Sequence, residues 1–309
     1  MNMPKKSPSK APLYSLFDFQ KEYGTDMQCR DYLFRKKFPE GFKCSRCGHT
    51  EYSFVRRHKL FECKKCLKQH SVTVNTIFSH TKLPLHVWFL AIYIVSQNAS
   101  GVSASTIQKL TGVKKYETAW NMLQKIRKSM GDRDDKYTIE GIIEFDDGYF
   151  GGPSEGKRGR GADGKTNVVV AVSKTEDGKP KYLSMKTTED IKTDTIDRAM
   201  ADKIKKEKSE LHTDGLPAML ALEKKGYKIK KTVIGDPKEA SEIFKWVHTA
   251  ISNAKGTYEG VHHGVSGKRL QLYLNEFCYK FNRRYFGGDI FKRMLIATAD
   301  SSSVRRYEF

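Results

Sequence analysis

The feature that most constrains this chain is a pair of cysteine knuckles. Cys44-x-x-Cys47 and Cys63-x-x-Cys66 lie 15 residues apart. Each knuckle places two sulfurs on one side of a tight turn, and two knuckles joined by a hairpin close a tetrahedral four-thiolate site. Lys43, Arg46, Lys64 and Lys65 around them favour thiolate over thiol. Gly48 follows the first knuckle, where left-handed backbone is expected, and Phe54-Val55 and Leu60-Phe61 are expected as the ribbon strands. The spacing predicts one structural zinc held by Cys44, Cys47, Cys63 and Cys66 rather than a redox pair. Cys29 and Cys278 have no partner at ligand spacing and are expected to be free thiols.

The rest of the chain narrows the partner. Formal net charge is +20, and the lysines and arginines are spread along the whole length. Such an excess favours a polyanion, either nucleic acid or an anionic membrane. No apolar run reaches the roughly 18 residues of a membrane span; the best stretch, Leu83 to Val95, is interrupted by Pro84 and His86. The first residues carry lysines and prolines without an apolar signal core, so the chain is expected to stay in a reducing compartment, where cysteines serve metal before disulfides.

Composition and periodicity divide the chain in three. Residues 1–80 read as a basic tail, a short helical segment over 16–40 and the zinc ribbon, which is itself basic and expected to touch nucleic acid. Residues 81–131 read as three helices. Leu85, Trp88, Phe89, Ile92 and Val95 line the first; Ser103 or Ser105 caps a second that ends at Thr111-Gly112. The third carries Tyr116, Ala119, Trp120, Leu123, Ile126 and Met130 on one face. Short helix, glycine turn and longer polar-basic helix is the helix-turn-helix order, with Lys114, Lys115, Lys125 and Lys128 as candidate DNA contacts. The same pattern also fits a plain helical bundle with a solvated charged face.

Residues 132–309 read as an α/β domain built around Ile142-Ile143-Glu144-Phe145-Asp146-Asp147-Gly148. Apolar β-formers run into acids and then glycines, which predicts a buried strand with carboxylates emerging at its end. Buried carboxylates need a cation or a charge partner, so Asp146 is a candidate metal ligand; an acidic turn closing a hairpin is the plainer alternative. The loop after it offers Lys157, Arg158 and Arg160 to phosphates. Strands are then predicted over 166–173 and 181–187, a helix over 194–205, a short strand over 210–213 ending in Asp214-Gly215, a helix over 218–225, a strand over 227–234 and a helix over 238–255. Three antiparallel strands followed by helix, strand and helix, with acids at two strand ends, is the ribonuclease H-like order.

Four pieces together resemble a known family: the four-cysteine ribbon, the motif IIEFDDGYFGG, the TDG at Asp214, and HTAISNAK from His248 followed by HHGVS and LNEFCYKFNRR. They are similar to transposases of bacterial insertion sequences with an N-terminal zinc ribbon, a helix-turn-helix and a DDE-type integrase domain, and to eukaryotic Merlin-type elements. The resemblance covers roughly residues 30 to 290. It implies catalytic positions at Asp146, Asp214 and Asn253, a basic position at Lys255 and a histidine at His248. The third position departs from Glu, and Asn brings a carbonyl oxygen without charge; Asp147, Glu144, Glu259 and His262 are possible substitutes. Of these, Glu144 shares a strand face with Asp146 and Asp147 does not.

The resemblance also implies two Mg²⁺ or Mn²⁺ ions per site, with Asp146 as the bridge. The activity implied is binding of the element's terminal inverted repeats, cleavage of its ends and joining of the 3′-hydroxyl to target DNA. A homodimer or higher oligomer on DNA is expected, in the cytoplasm or nucleoid, or in the nucleus for a eukaryotic element. The rivals are a sequence-specific DNA-binding regulator with a degenerate nuclease domain, which Asn253 favours, and a nuclease that stops after hydrolysis.

Overall fold

The computed structural model describes residues 14–151, 165–232, 244–262 and 264–302. Lys157, Arg158 and Arg160 lie outside the described residues. The chain forms two compact units. Of the described residues, one holds 14–98, Ala104–Ser129 and 285–302; the other holds Ala99–Ser103 and those described within Met130–Arg284.

The first unit begins with two helices where the sequence predicts one helical segment. Helix α1 spans Leu16–Tyr23 and α2 spans Asp26–Lys37. Each opens with a reciprocal capping box, Ser15 with Asp18 and Thr25 with Gln28. The second box restarts the helix just after Gly24, where an added Cβ would stand 2.3 Å from the Gln20 carbonyl oxygen. Next come strands β1 (Tyr52–Val55), β2 (Leu60–Cys63) and β3 (Gln69–His70), an antiparallel sheet in that order. Phe54 pairs with Phe61 and Val55 with Leu60, as the ribbon reading expects. Phe34 from α2 packs on the ribbon, its ring 4.4 Å from that of Phe61.

Helices α3 (Leu85–Gln97), α4 (Ala104–Thr111) and α5 (Tyr116–Asp134) match the three predicted helices in place and order. The Asp26 carboxylate at the start of α2 accepts from the Leu85 N–H at 2.5 Å, tying two helix N-termini together. The last described helix runs over Ile290–Asp300. Its Phe291 ring meets those of Tyr14, Phe19, Tyr23 and Tyr93 at 5.2–5.7 Å. This segment therefore counts with the first unit, whereas the sequence reading runs the α/β domain on to 309; the chain returns because Phe291 completes an aromatic cluster that α1–α3 leave open.

The second unit is a five-stranded sheet. Its strands are β4 (Ile139–Phe150), β5 (Thr166–Lys174), β6 (Pro180–Thr188), β7 (Ile204–Thr213) and β8 (Lys228–Lys231). Their order across the sheet is β6-β5-β4-β7-β8. The pairs β4–β5 and β5–β6 are antiparallel; β4–β7 and β7–β8 are parallel. Helices α6 (Thr193–Met200), α7 (Pro217–Leu220), α8 (Lys245–His262) and α9 (Gly267–Asn282) complete it, with a 3-10 turn at Ala221–Lys225. We label Ile290–Asp300 α10.

Period-two alternation explains the layering. Phe150, Val168, Val170 and Val172 face a core built with α8 and α9, while Ile143, Phe145, Val169 and Ala171 face a second core with α6 and α7. The apolar run of β5 is continuous because both of its faces are covered. Each such valine contributes about 1.5–3 kcal/mol on burial.

Two expectations change. The helix predicted over 194–205 ends at Met200, and β7 starts at Ile204. Lys205, Glu207 and Lys208 are exposed helix-formers that hide the alternation of Ser209, Leu211 and Thr213, all buried. The acidic strand does not end at its carboxylates: β4 continues to Phe150. It is β7 that stops, its last pairing to β4 being Glu144 with His212.

Candidate functional site

The four predicted zinc ligands converge. Their sulfurs all lie within 4.8 Å of one another. Cys44 and Cys66 are 3.5 Å apart and Cys47 and Cys63 3.6 Å, close to the roughly 3.8 Å edge of a tetrahedron with Zn–S near 2.3 Å. The donor set fits zinc. Matching turns shape it: Gly48 and Leu67 follow the two knuckles with φ of 73° and 61°, and their N–H groups donate to the Cys44 and Cys63 carbonyls at 2.9 and 3.0 Å. Left-handed backbone suits Gly48, whereas at Leu67 it is unusual, and that turn was not legible.

The Cys44 thiol is driven down to about 5: burial opposes ionisation, but N–H groups of Arg46 and Cys47 and the side chains of His70 and Cys66 outweigh it. His70, four residues past the last ligand, is thus a supporting group that the sequence reading missed. Cys29 and Cys278 stand outside the cluster, both buried, and burial pushes the Cys29 thiol up to about 12.

In the second unit, Glu144, Asp146, Gly148 and Phe150 share the face of β4 turned to α8. The helix runs beside the strand in the same direction, pinned residue by residue. The Glu144 carboxylate, 1% exposed, accepts from the Trp246 and Val247 N–H groups at 2.8 and 2.9 Å. These are N–H groups of the first helical turn, where a negative charge also suits the helix dipole. Lys174 Nζ lies 3.3 Å from its other oxygen. His248 Nε2 sits 3.2 Å from Asp146 Oδ2. Ile251 lies over Gly148, where an added Cβ would come within 3.3 Å. Lys255 Nζ is 5.6 Å from the centre of the Phe150 ring.

Asp214 follows β7 directly and reaches the neighbourhood of Asp146 because β7 ends there. Burial raises the Asp146 carboxyl to about 6; the Asp147 N–H lowers it, the charges of Asp147 and Asp214 raise it further, and His248 opposes them. A cation would relieve this crowding. The all-oxygen pair of Asp146 and Asp214 suits a hard divalent ion.

The other candidates fall elsewhere. Asn253 is exposed on α8, five residues past His248 and so about 140° around the helix. Glu144 is committed to the α8 N-terminus. Asp147 sits on the opposite strand face, its N–H donating to Asp146 Oδ1 at 2.8 Å. Glu259 is exposed, and the His262 ring packs on Tyr273 at 4.8 Å. Of the candidate DNA contacts, Lys114 and Lys115 are exposed. Lys125 and Lys128 are half-buried, with Lys125 Nζ 6.0 Å from the Trp88 ring.

Comparison with known proteins bears on both sites. Residues 24–69 match a transposase zinc-ribbon domain, and residues 138–282 match an ISXO2-like transposase domain. An uncharacterized protein in transposable element ISH50 of Halobacterium salinarum is 24% identical over 277 residues, covering 83% of this chain and 91% of that one. Among solved structures, the Mos1 mariner paired end complex with Mn is 12% identical and covers 73% of this chain and 82% of that chain. Its TM-score of 0.23 is too low to bear on the fold. The two matched domains bracket the four-cysteine cluster and the acidic sheet. The chain belongs to the insertion-sequence transposases that carry an N-terminal zinc ribbon.

Proposed function

We propose that the chain binds the terminal inverted repeats of its own element, cleaves the ends and joins the 3′-hydroxyl to target DNA. The observation that carries this reading is the meeting of Asp146 and Asp214 where β7 stops beside β4, with His248 on Asp146. The strand order β6-β5-β4-β7-β8, three antiparallel then two parallel, supports a ribonuclease H-like catalytic unit. Helices α3–α5 support a helix-turn-helix, with the exposed Lys114 and Lys115 as its DNA contacts.

Asp146 and Asp214 are the proposed ligands of Mg²⁺ or Mn²⁺, which when bound supplies Lewis-acid stabilisation to the attacking and leaving oxygens; Asn253, on another flank of α8, is the third position that the resemblance implies. His248 holds the Asp146 carboxylate in place through Nε2. Lys255 offers its charge to a phosphate beside the cut. Glu144 fixes α8, and with it His248 and Lys255, to the strand that carries Asp146. Joining two ends needs at least two such sites, hence the proposed dimer or higher oligomer on DNA, acting in the nucleoid.

The test is incubation of the protein with end-containing duplex and Mg²⁺ or Mn²⁺. Nicks at the ends and joined products are expected, and neither should form when the added Mg²⁺ or Mn²⁺ is left out of the zinc-loaded protein. End binding without either product would favour a DNA-binding regulator with a degenerate nuclease domain. The specific observation on that side is Asn253, exposed and turned about 140° from His248 around α8.

A further inference from the structure

The two zinc knuckles make the same turn with different residues. Gly48 and Leu67 each follow the second cysteine of a knuckle, each has left-handed backbone, and each donates its N–H to the first cysteine's carbonyl. The turn therefore explains the backbone of Leu67 but not the leucine. A side chain at a φ of 61° costs backbone energy that glycine avoids. Burial does not offset that cost, because Leu67 is 68% exposed. Its surroundings are cationic. The Cys44 and Cys66 sulfurs, 3.5 Å apart, bring the knuckle of Lys43 and Arg46 to that of Lys65 and Lys68. Lys43, Arg46 and Lys65 are exposed and Lys68 is half-buried; among the described residues, no carboxylate pairs with any of the four. Lys64 is held by Glu51 at 3.3 Å. A zinc-loaded four-thiolate cluster carries two negative charges, which these four cations outnumber. The ribbon thus ends in an apolar knob set among positive charges, and neither its backbone nor its core accounts for the knob.

We propose that Leu67 is a wedge that enters one base step of the bound DNA end from the minor groove, with Lys43, Arg46, Lys65 and Lys68 on the flanking phosphates. Single apolar side chains among cations part stacked base pairs in this way and kink the duplex. The leucine is buried only once it lies between bases, and that burial offsets the unstacking. The Leu67 N–H, bound to the Cys63 carbonyl at 3.0 Å, and the adjoining ligand Cys66 fix the backbone from which the wedge projects, so little freedom is lost on insertion. The proposal rests on the end-binding reading above and deepens it by naming the part of the ribbon that touches the duplex.

The test uses the full, zinc-loaded chain without added Mg²⁺ or Mn²⁺, so that cleavage plays no part. Leu67→Gly removes the side chain and suits the left-handed turn, so its zinc content should match wild type and its melting temperature should hold or rise. Fluorescence anisotropy should nonetheless show it binding the end duplex roughly tenfold more weakly. Leu67→Met, which keeps an apolar wedge, should stay within about threefold of wild type. A 2-aminopurine placed in turn at each position of the end should brighten at one step with wild type and with Leu67→Met, and at none with Leu67→Gly. Equal end affinity of wild type and Leu67→Gly, or the same brightening with both, overturns the proposal. So does a loss of zinc or a lower melting temperature in Leu67→Gly, which would make the leucine a support of the turn. Weaker binding of Leu67→Gly to anionic phosphatidylserine vesicles with unchanged DNA affinity would assign the knob to a membrane and overturn it too. Brightening at one step in duplexes of unrelated sequence, bound as tightly as the end, would keep the wedge and sink the end-binding reading; selective end binding without brightening would do the reverse.

Discussion

The zinc cluster and the acidic groove solve the same problem, crowded anionic ligands, in opposite ways. The cluster gathers four ligands from one short segment, Cys44 to Cys66, and its geometry is set by two local turns. The groove brings Asp146 to His248 across a separation of 102 residues, so its geometry depends on a sheet, a helix and the Glu144 clamp between them. A local site carries its own framework, whereas a distributed one borrows it.

That contrast can be broken at several points. The largest effect should come from zinc. Removing it by chelation or by Cys63→Ser should unfold the ribbon, because structural zinc supplies on the order of 10–16 kcal/mol. Metal analysis should fall from one zinc per chain to none, with loss of near-ultraviolet dichroism from the ribbon aromatics. Retained dichroism would mean that the aromatic packing alone holds the ribbon.

Next, Asp146→Ala and Asp214→Ala should each cut end cleavage by at least about 10²–10³-fold while end affinity holds. Full cleavage by either would sink the metal reading.

Glu144 sharpens the comparison, since the ribbon has no such clamp. Glu144→Ala leaves Lys174 and two helix N–H groups without their acceptor and should cost about 3–5 kcal/mol in denaturant melts. Glu144→Gln keeps an acceptor and should cost less. A cost below about 1 kcal/mol for the alanine would mean that α8 is held by its apolar face alone.

Asp146 itself should trade stability for function. Its carboxyl is raised from 3.8 to about 6, so its contribution to stability is present below pH 3.8 and is lost as pH rises through about 6. Asp146→Asn should therefore stabilise the metal-free protein by on the order of 1–3 kcal/mol near pH 7, with the gain vanishing near pH 4. A melting temperature that shows no pH-dependent gain would refute this.

The smallest effect concerns DNA contacts. Lys114→Gln with Lys115→Gln should reduce the salt slope of end binding by about two, and Lys125→Gln with Lys128→Gln by less. The reverse ranking would return the reading role to the body of α5.

The legibility of each region follows from the same contrast. The four cysteines and Gly48 could be read because their constraints are local in sequence. The valines of β5 could be read because a strand covered on both faces has no alternation to hide. What escaped reading was set at a distance. Nothing in Glu144 announces that its oxygens meet the backbone of Trp246 and Val247, and the stop of β7 at Thr213 fixes where Asp214 arrives although both strands look alike in composition. The lysines over 205–208 concealed a strand because their stems suit a helix equally well. The grouping of α10 with the first unit rests on Phe291 filling an aromatic gap, which no spacing rule encodes.

That last helix sets a timetable for synthesis. The Phe19, Tyr23 and Tyr93 rings emerge early, and the ring that completes their cluster is nearly 200 residues further along the chain. At about 5–20 residues per second, the ribosome leaves those rings uncovered for on the order of ten to forty seconds. In that interval the acidic sheet can be made and paired. The unit that begins first is therefore finished last, and a chain truncated before Ile290 would carry an open aromatic face however well its catalytic sheet had formed.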